Sequence, residues 1–253
     1  VITTQANGAY SVFAVDVAGD ADRIGAPVLR NHGPSGIDTR TPRVYVQPSW
    51  AIINGVPLLQ ISYLAWFPER PSTGNMDILA GKLDGVIWRV TIGSHGRPVI
   101  YDSIHACGCY HLFFPVPPTR LKVQRPDEPA EGTVVPRHAP VLASGQRMVL
   151  HISSGSHYLR GLSVSNDKTV RPIAYDLLLM DSLRSLPAPN GGRRSLFDPD
   201  GLVAGTERGE RWLLWPMGVL SPGAMRQWGT HATAFVGRRH FDDPHMIDRA
   251  FAR

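Results

Sequence analysis

The chain has 253 residues, of which 43% are apolar and 19% charged, with 25 glycines and 22 prolines. A chain of this length and composition can bury a sizeable core without disulfide staples, which excludes a disordered chain and a coiled coil. The net charge of +5 is carried almost wholly by arginine, because Lys82, Lys122 and Lys168 are the only lysines.

The densest basic clusters are mere pairs, Arg193-Arg194 and Arg238-Arg239, so no element carries a nucleic-acid footprint and no nucleic-acid partner is expected. The longest apolar runs, such as residues 173–180, fall far short of the roughly 18 residues of a membrane-spanning helix, so no transmembrane segment is expected. The chain opens Val1-Ile2, with a polar stretch over residues 3–8 that reads as the start of a mature chain. The expectation is an exported protein, periplasmic or secreted. Two cysteines are too few for a disulfide framework.

Period-two alternation dominates and predicts strands over residues 10–17, 43–50, 57–67, 85–92 and 98–114, all rich in Val, Ile, Tyr, Trp and Phe. Gly93-Ser94-His95-Gly96-Arg97 links the last two as a long hairpin. Seven prolines then make residues 115–146 mostly irregular, with a short strand over 120–124. A second hairpin is expected over 147–164, and a buried strand running into a short helix over 172–186. Residues 187–201 read as a surface loop. Further strands are expected over 211–215 and 225–236. Asp243 as cap and Pro244 at the first helical position predict a short terminal helix over 245–251. The fold class is therefore mainly β: one sandwich-like or barrel-like domain over 1–253, with long Pro/Gly-rich loops. Nothing marks the oligomeric state.

The chemistry concentrates in Tyr101-Asp102-Ser103-Ile104-His105-Ala106-Cys107-Gly108-Cys109-Tyr110-His111. On an extended strand His105, Cys107, Cys109 and His111 share one face. Imidazole and thiolate are the usual ligands of zinc, and thiolate also suits copper(I). His105 and His111 lie six residues apart, too far for one ion unless Gly108 bends the strand. A three-residue turn over 153–155 would set His151 opposite His157 and complete the site. The leading expectation is thus a transition-metal site of zinc or copper drawn from His105, Cys107, Cys109, His111, His151 and His157. It would serve a metal-dependent hydrolase or oxidoreductase acting on a small molecule, or a metal-binding protein. Asp102, on the opposite face, is a candidate supporting partner.

Two alternatives stand beside it. Cys107 or Cys109 is a candidate nucleophile for hydrolysis or group transfer, with a histidine as base. Ser103-Ile104-His105-Ala106-Cys107 partly resembles the Ser-His-Gly-Cys signature of L,D-transpeptidases, which are β-rich cell-wall enzymes. It departs from it by an extra residue between Ser103 and His105, alanine for glycine, and no arginine after the cysteine, so membership is not assigned. The third reading is a non-catalytic β-sandwich interaction module whose His/Cys stretch only packs a core. His231, His240, His245, Asp242 and Asp243 form a looser group, read as surface residues around a turn. The aromatics, Trp66, Phe67, Trp88, Phe113, Phe114, Trp212 and Trp215, read as core.

Overall fold

A computed structural model describes residues 11–119, 121–125, 131–166, 175–229 and 240–252. Strands make up 42% of it and helices 9%. In chain order the strands are β1 (Ser11–Val15), β2 (Ala26–Val28), β3 (Gly36–Asp38), β4 (Arg43–Ile53), β5 (Val56–Arg70) and β6 (Gly81–Ile92). They continue as β7 (Pro98–His105), β8 (Leu112–Pro115), β9 (Lys122–Val123), β10 (Gln146–Ile152), β11 (Leu159–Asn166) and β12 (Asp176–Leu179). The last are β13 (Leu186–Pro187), β14 (Arg193–Arg194) and β15 (Phe251–Ala252). Helix α1 is Arg211–Leu214 and α2 is Met246–Ala250, with 3-10 turns at Asp20–Asp22, Met180–Arg184 and Trp215–Met217. No helix among the described residues is long and apolar enough to cross a membrane.

One six-stranded sheet in the order β12-β4-β5-β6-β7-β8 organises the molecule, and a three-stranded sheet, β1-β10-β11, packs against one of its faces. That face buries Tyr63, Phe67, Val86, Trp88, Val90 and Tyr101 against Met148, Leu150, Ile152 and Leu159. The other face buries Tyr45, Leu64, Trp66, Ile87 and Ile104 under the segments carrying Met180, Leu183, Leu196, Phe197, Val203 and Met225. A third cluster closes one end, where Ile53, Ile100 and Phe113 meet Met246 and Ile247 of α2. Strand β6 is covered on both faces, which is why its sequence runs apolar rather than alternating. Each of the fully buried tryptophans Trp66 and Trp88 contributes on the order of 1.5–3 kcal/mol of transfer free energy. Trp88 also donates its indole N–H to Ser11 Oγ at 3.0 Å, tying β1 to the large sheet.

The mainly-β expectation holds, and so does the hairpin around residues 93–97, closed by Gly93 N–H to Arg97 O at 2.8 Å. Two local expectations do not. Residues 98–114 are two strands, β7 and β8, because the chain turns back after His105. Gly108 (φ 94°) and Tyr110 (φ 57°) take left-handed backbone there, and Leu112 comes to pair with Ser103. Residues 211–214 are a helical turn, with Trp212, Leu213 and Trp215 exposed, so their apolar character is not that of a core strand. The strand expected over 225–236 lies mostly outside the described residues; within 225–229 there is a bridge from Arg226 to Leu202. The terminal helix starts at Met246, and Asp243 Oδ1 accepts the His245 N–H at 2.9 Å just ahead of it.

Candidate functional site

The turn after β7 is the centre of the site. The His105 N–H donates to Cys109 O at 2.9 Å, and the Gly108 N–H returns to His105 O at 2.8 Å. These bonds fold residues 105–109 into a tight loop instead of an extended strand. The loop is pinned on two sides, by Ala106 N–H to Gly85 O and by Arg226 N–H to Ala106 O. Gly85 is required for this approach, since a Cβ there would lie 2.9 Å from the Ala106 Cβ. Cys107 and Cys109 are both free and half-buried, and they approach to near 3.2 Å.

Beside them runs a chain of alternating carboxylates and imidazoles. His105, at the end of β7, sets Nδ1 3.6 Å from Asp84 Oδ1 on β6. His157, in the turn between β10 and β11, sets Nδ1 2.8 Å from the other Asp84 oxygen. Its Nε2 faces Asp22 Oδ1 at 3.4 Å, and its ring stacks on Phe67 with centroids 3.9 Å apart. Asp22 in turn accepts the N–H groups of Ala18, Gly19 and Gly155 and the Ser154 hydroxyl. All four members of this chain are buried. A carboxylate inside a sheet survives only when it is fully partnered, and Asp84 has an imidazole on each oxygen.

The electrostatics follow from the contacts. Burial pushes the Asp84 carboxyl up, but the close approach and charge of His105 and His157 outweigh it and hold it well below the usual carboxylate range. Burial likewise opposes ionisation of Asp22, and its four hydrogen bonds again prevail. For His105, burial disfavours the charged ring, yet the Asp84 carboxylate and then Cys107 raise its pKa. The two thiols diverge. The Cys109 S–H donates to Cys107, and this bond, with the His105 charge, overcomes burial and lowers the Cys107 pKa. Cys109, as donor, partly desolvated and next to Cys107 and Glu210, is pushed well above the ordinary thiol value.

These groups open onto a small cleft lined by Asp84, His105, Cys107, Cys109 and Tyr110, with Arg70, Arg208, Glu210 and Met225 among its other walls. His105 Nε2 is buried with no hydrogen-bond partner among the described residues, so one ring nitrogen is oriented by a carboxylate while the other is open.

The metal expectation is overturned: no three His, Cys, Asp or Glu side chains among the described residues are grouped so as to hold an ion. The alternation that set His105, Cys107, Cys109 and His111 on one face requires an extended strand, and the left-handed turn removes it. His111 points into a separate buried cluster, with Nε2 2.8 Å from Asp102 Oδ2. There Arg89 also grips Asp102 through two hydrogen bonds, at 2.9 and 2.7 Å, and lies over the Phe241 ring. Asp102 therefore serves His111 and Arg89, not the cysteine loop. The expected pairing of His151 with His157 also fails. His151 stands opposite Gly161 and bonds Ser163 Oγ at 2.7 Å, while His157 lies within the turn itself at φ 49°. The six residues thus divide into His105, Cys107 and Cys109 with His157 nearby through Asp84, His111 in the Arg89 cluster, and His151 on the smaller sheet. A zinc or copper centre from this set is withdrawn. In the looser C-terminal group, His231 lies outside the described residues.

Sequence reasoning missed Asp84, Asp22, Arg70, Arg208 and Glu210. Asp84 carried a usable signal: it is a lone carboxylate between Leu83 and the apolar run of Val86, Ile87 and Trp88, where burial demands a partner. Asp22, Arg208 and Glu210 sit in polar loop and turn sequence and Arg70 at the polar end of β5, with nothing to single them out. Comparison with protein-family models, with curated proteins and with solved structures finds no match to the chain.

Proposed function

We propose that the protein is a thiol-dependent acyl hydrolase or acyltransferase in which Cys107 is the nucleophile, His105 its proton partner and Asp84 the residue that orients His105. The observation that carries this reading is the placement of a thiol favoured as thiolate on the same short loop as an imidazole held by a buried carboxylate, both lining one cleft. This is the nucleophile, base and orienting-group logic of covalent catalysis.

In the first half-reaction the Cys107 sulfur bonds to the carbonyl carbon of a substrate. The bond from that carbon to its oxygen or nitrogen leaving group breaks, and the leaving group takes a proton from His105. In the second, water or another acceptor gives a proton to His105 while its oxygen or nitrogen displaces the sulfur, which returns as thiolate. Cys109 holds the resting thiolate by donating its S–H. His157 keeps Asp84 in place and does not itself meet the substrate, because it is fully buried against Phe67.

The test uses an activated ester, p-nitrophenyl acetate, with the intact protein analysed by mass spectrometry after acid quench. The expected result is an acetyl group on Cys107 that turns over slowly, is absent in Cys107→Ser and forms much more slowly in His105→Gln. Acetylation that ignores both substitutions would contradict the assignment.

A further inference from the structure

Arg208 is only 3% exposed, yet it lines the cleft that holds Cys107 and His105. Its Nη2 donates to the Leu83 carbonyl, while its Nη1 is buried and has no hydrogen-bond partner among the described residues. The guanidinium occupies the space that a side chain at residue 81 would need, so Gly81 makes room for it. No carboxylate among the described residues lies within ion-pair distance of it. Arg70 lines the same cleft. A guanidinium stays charged at any physiological pH, and a buried charged donor left unmet is costly unless something completes it.

We infer that the cleft binds an oxyanion group of the substrate, a carboxylate or phosphate, on Arg208 with Arg70 beside it, so that the electrophile attacked by Cys107 is an anionic molecule. The planar donor fork of arginine matches such groups two oxygens at a time. Glu210, on the same wall, is a weakened competitor for these cations: burial raises its pKa, against the pull of Arg208, Arg70 and Arg226. Burial also lowers the Arg208 pKa, in spite of Asp84, Cys107 and Glu210, which is what a cation lacking a close counter-ion shows.

The substrate class rests on the nucleophile reading, so the test separates the two. The wild-type chain is alkylated with iodoacetate, which carries a carboxylate, and with neutral iodoacetamide, and the ratio of their rate constants at Cys107 is compared with that of glutathione. The expected ratio exceeds that of glutathione by about tenfold, as one cation near a partly desolvated sulfur provides. It should fall towards the glutathione value in Arg208→Gln, and in part in Arg70→Gln should the first variant fail to fold. Fast iodoacetamide reaction with an ordinary ratio overturns the anion site and leaves the nucleophile standing. Slow reaction with both reagents overturns the nucleophile. The anion site keeps its own readout in Cys107→Ser, where millimolar acetate or phosphate should raise Tm, and whichever is more effective identifies the group. No rise with either anion overturns the site.

Discussion

His105 Nδ1 lies 3.6 Å from Asp84 Oδ1 because β6 and β7 are in a register that sets His105 opposite Val86, two residues along from Asp84. The contact is longer than a hydrogen bond and acts as charge pairing inside the protein, where little solvent screens it. His157 holds the other oxygen at 2.8 Å, so the carboxylate cannot swing away. The loop bearing Cys107 starts directly after His105, and the strand pairing thus fixes His105 relative to Cys107.

Asp84→Asn should expose how much the site depends on that carboxylate. It leaves two buried imidazoles without their shared charge, and a loss of about 3–5 kcal/mol in unfolding free energy is expected. Urea denaturation measures it. In the folded variant, iodoacetamide should label Cys107 more slowly at neutral pH, because His105 is less readily charged. Unchanged labelling would separate Asp84 from the thiol.

Asp102→Ala is the matching control in the other buried cluster. It strands Arg89 and His111 in the interior and should also cost about 3–5 kcal/mol. Cys107 labelling of the folded protein should be unaffected, since Asp102 faces Arg89 and His111 and not the cysteine loop.

Stability should fall on both sides of a mildly acidic window. Asp84, Asp22 and Asp102 all have lowered folded-state pKa values. Their contribution is complete above the unfolded carboxylate value of about 3.9 and is lost as the pH drops through the lower folded values. His105 is raised. Its contribution is complete below the unfolded value of about 6.5 and fades as the pH rises through the folded one. Urea unfolding from pH 3 to 9 should show both limbs, with the acid limb shallower in Asp84→Asn. An acid limb identical in that variant would contradict the assignment.

Mild peroxide should convert the Cys107 thiolate to a sulfenic acid with release of water, and Cys109, near 3.2 Å away, should condense with it to a disulfide, releasing a second water. Intact mass should show a loss of two hydrogens that dithiothreitol reverses. Cys109→Ser should instead carry added oxygen on Cys107.

Much of the fold was legible because strand alternation and Gly-containing turns act locally. Residues 43–50, 57–67 and 85–92 all lie within the strands β4, β5 and β6. The site was legible only as a neighbourhood. The period-two pattern through residue 111 treated the chain as straight, whereas Gly108 and Tyr110 turn it in left-handed backbone, which alternation cannot register. The hairpin at 151–157 erred by its turn: with Ile152 paired to Leu159, His157 moves from a strand into the turn. Asp84, Asp22 and Arg208 reach the site through pairing and packing between distant segments, and no spacing within one segment encodes that.

The most direct test of the account is a titration of thiolate absorbance near 240 nm in the wild type, Cys107→Ser and Cys109→Ser. The wild type should show one thiolate appearing below the ordinary thiol range of about 8.5 and a second well above it. The early step should vanish in Cys107→Ser and persist in Cys109→Ser. Two coincident steps near the ordinary value, indifferent to which cysteine is replaced, would contradict the assignment of Cys107 as the activated nucleophile.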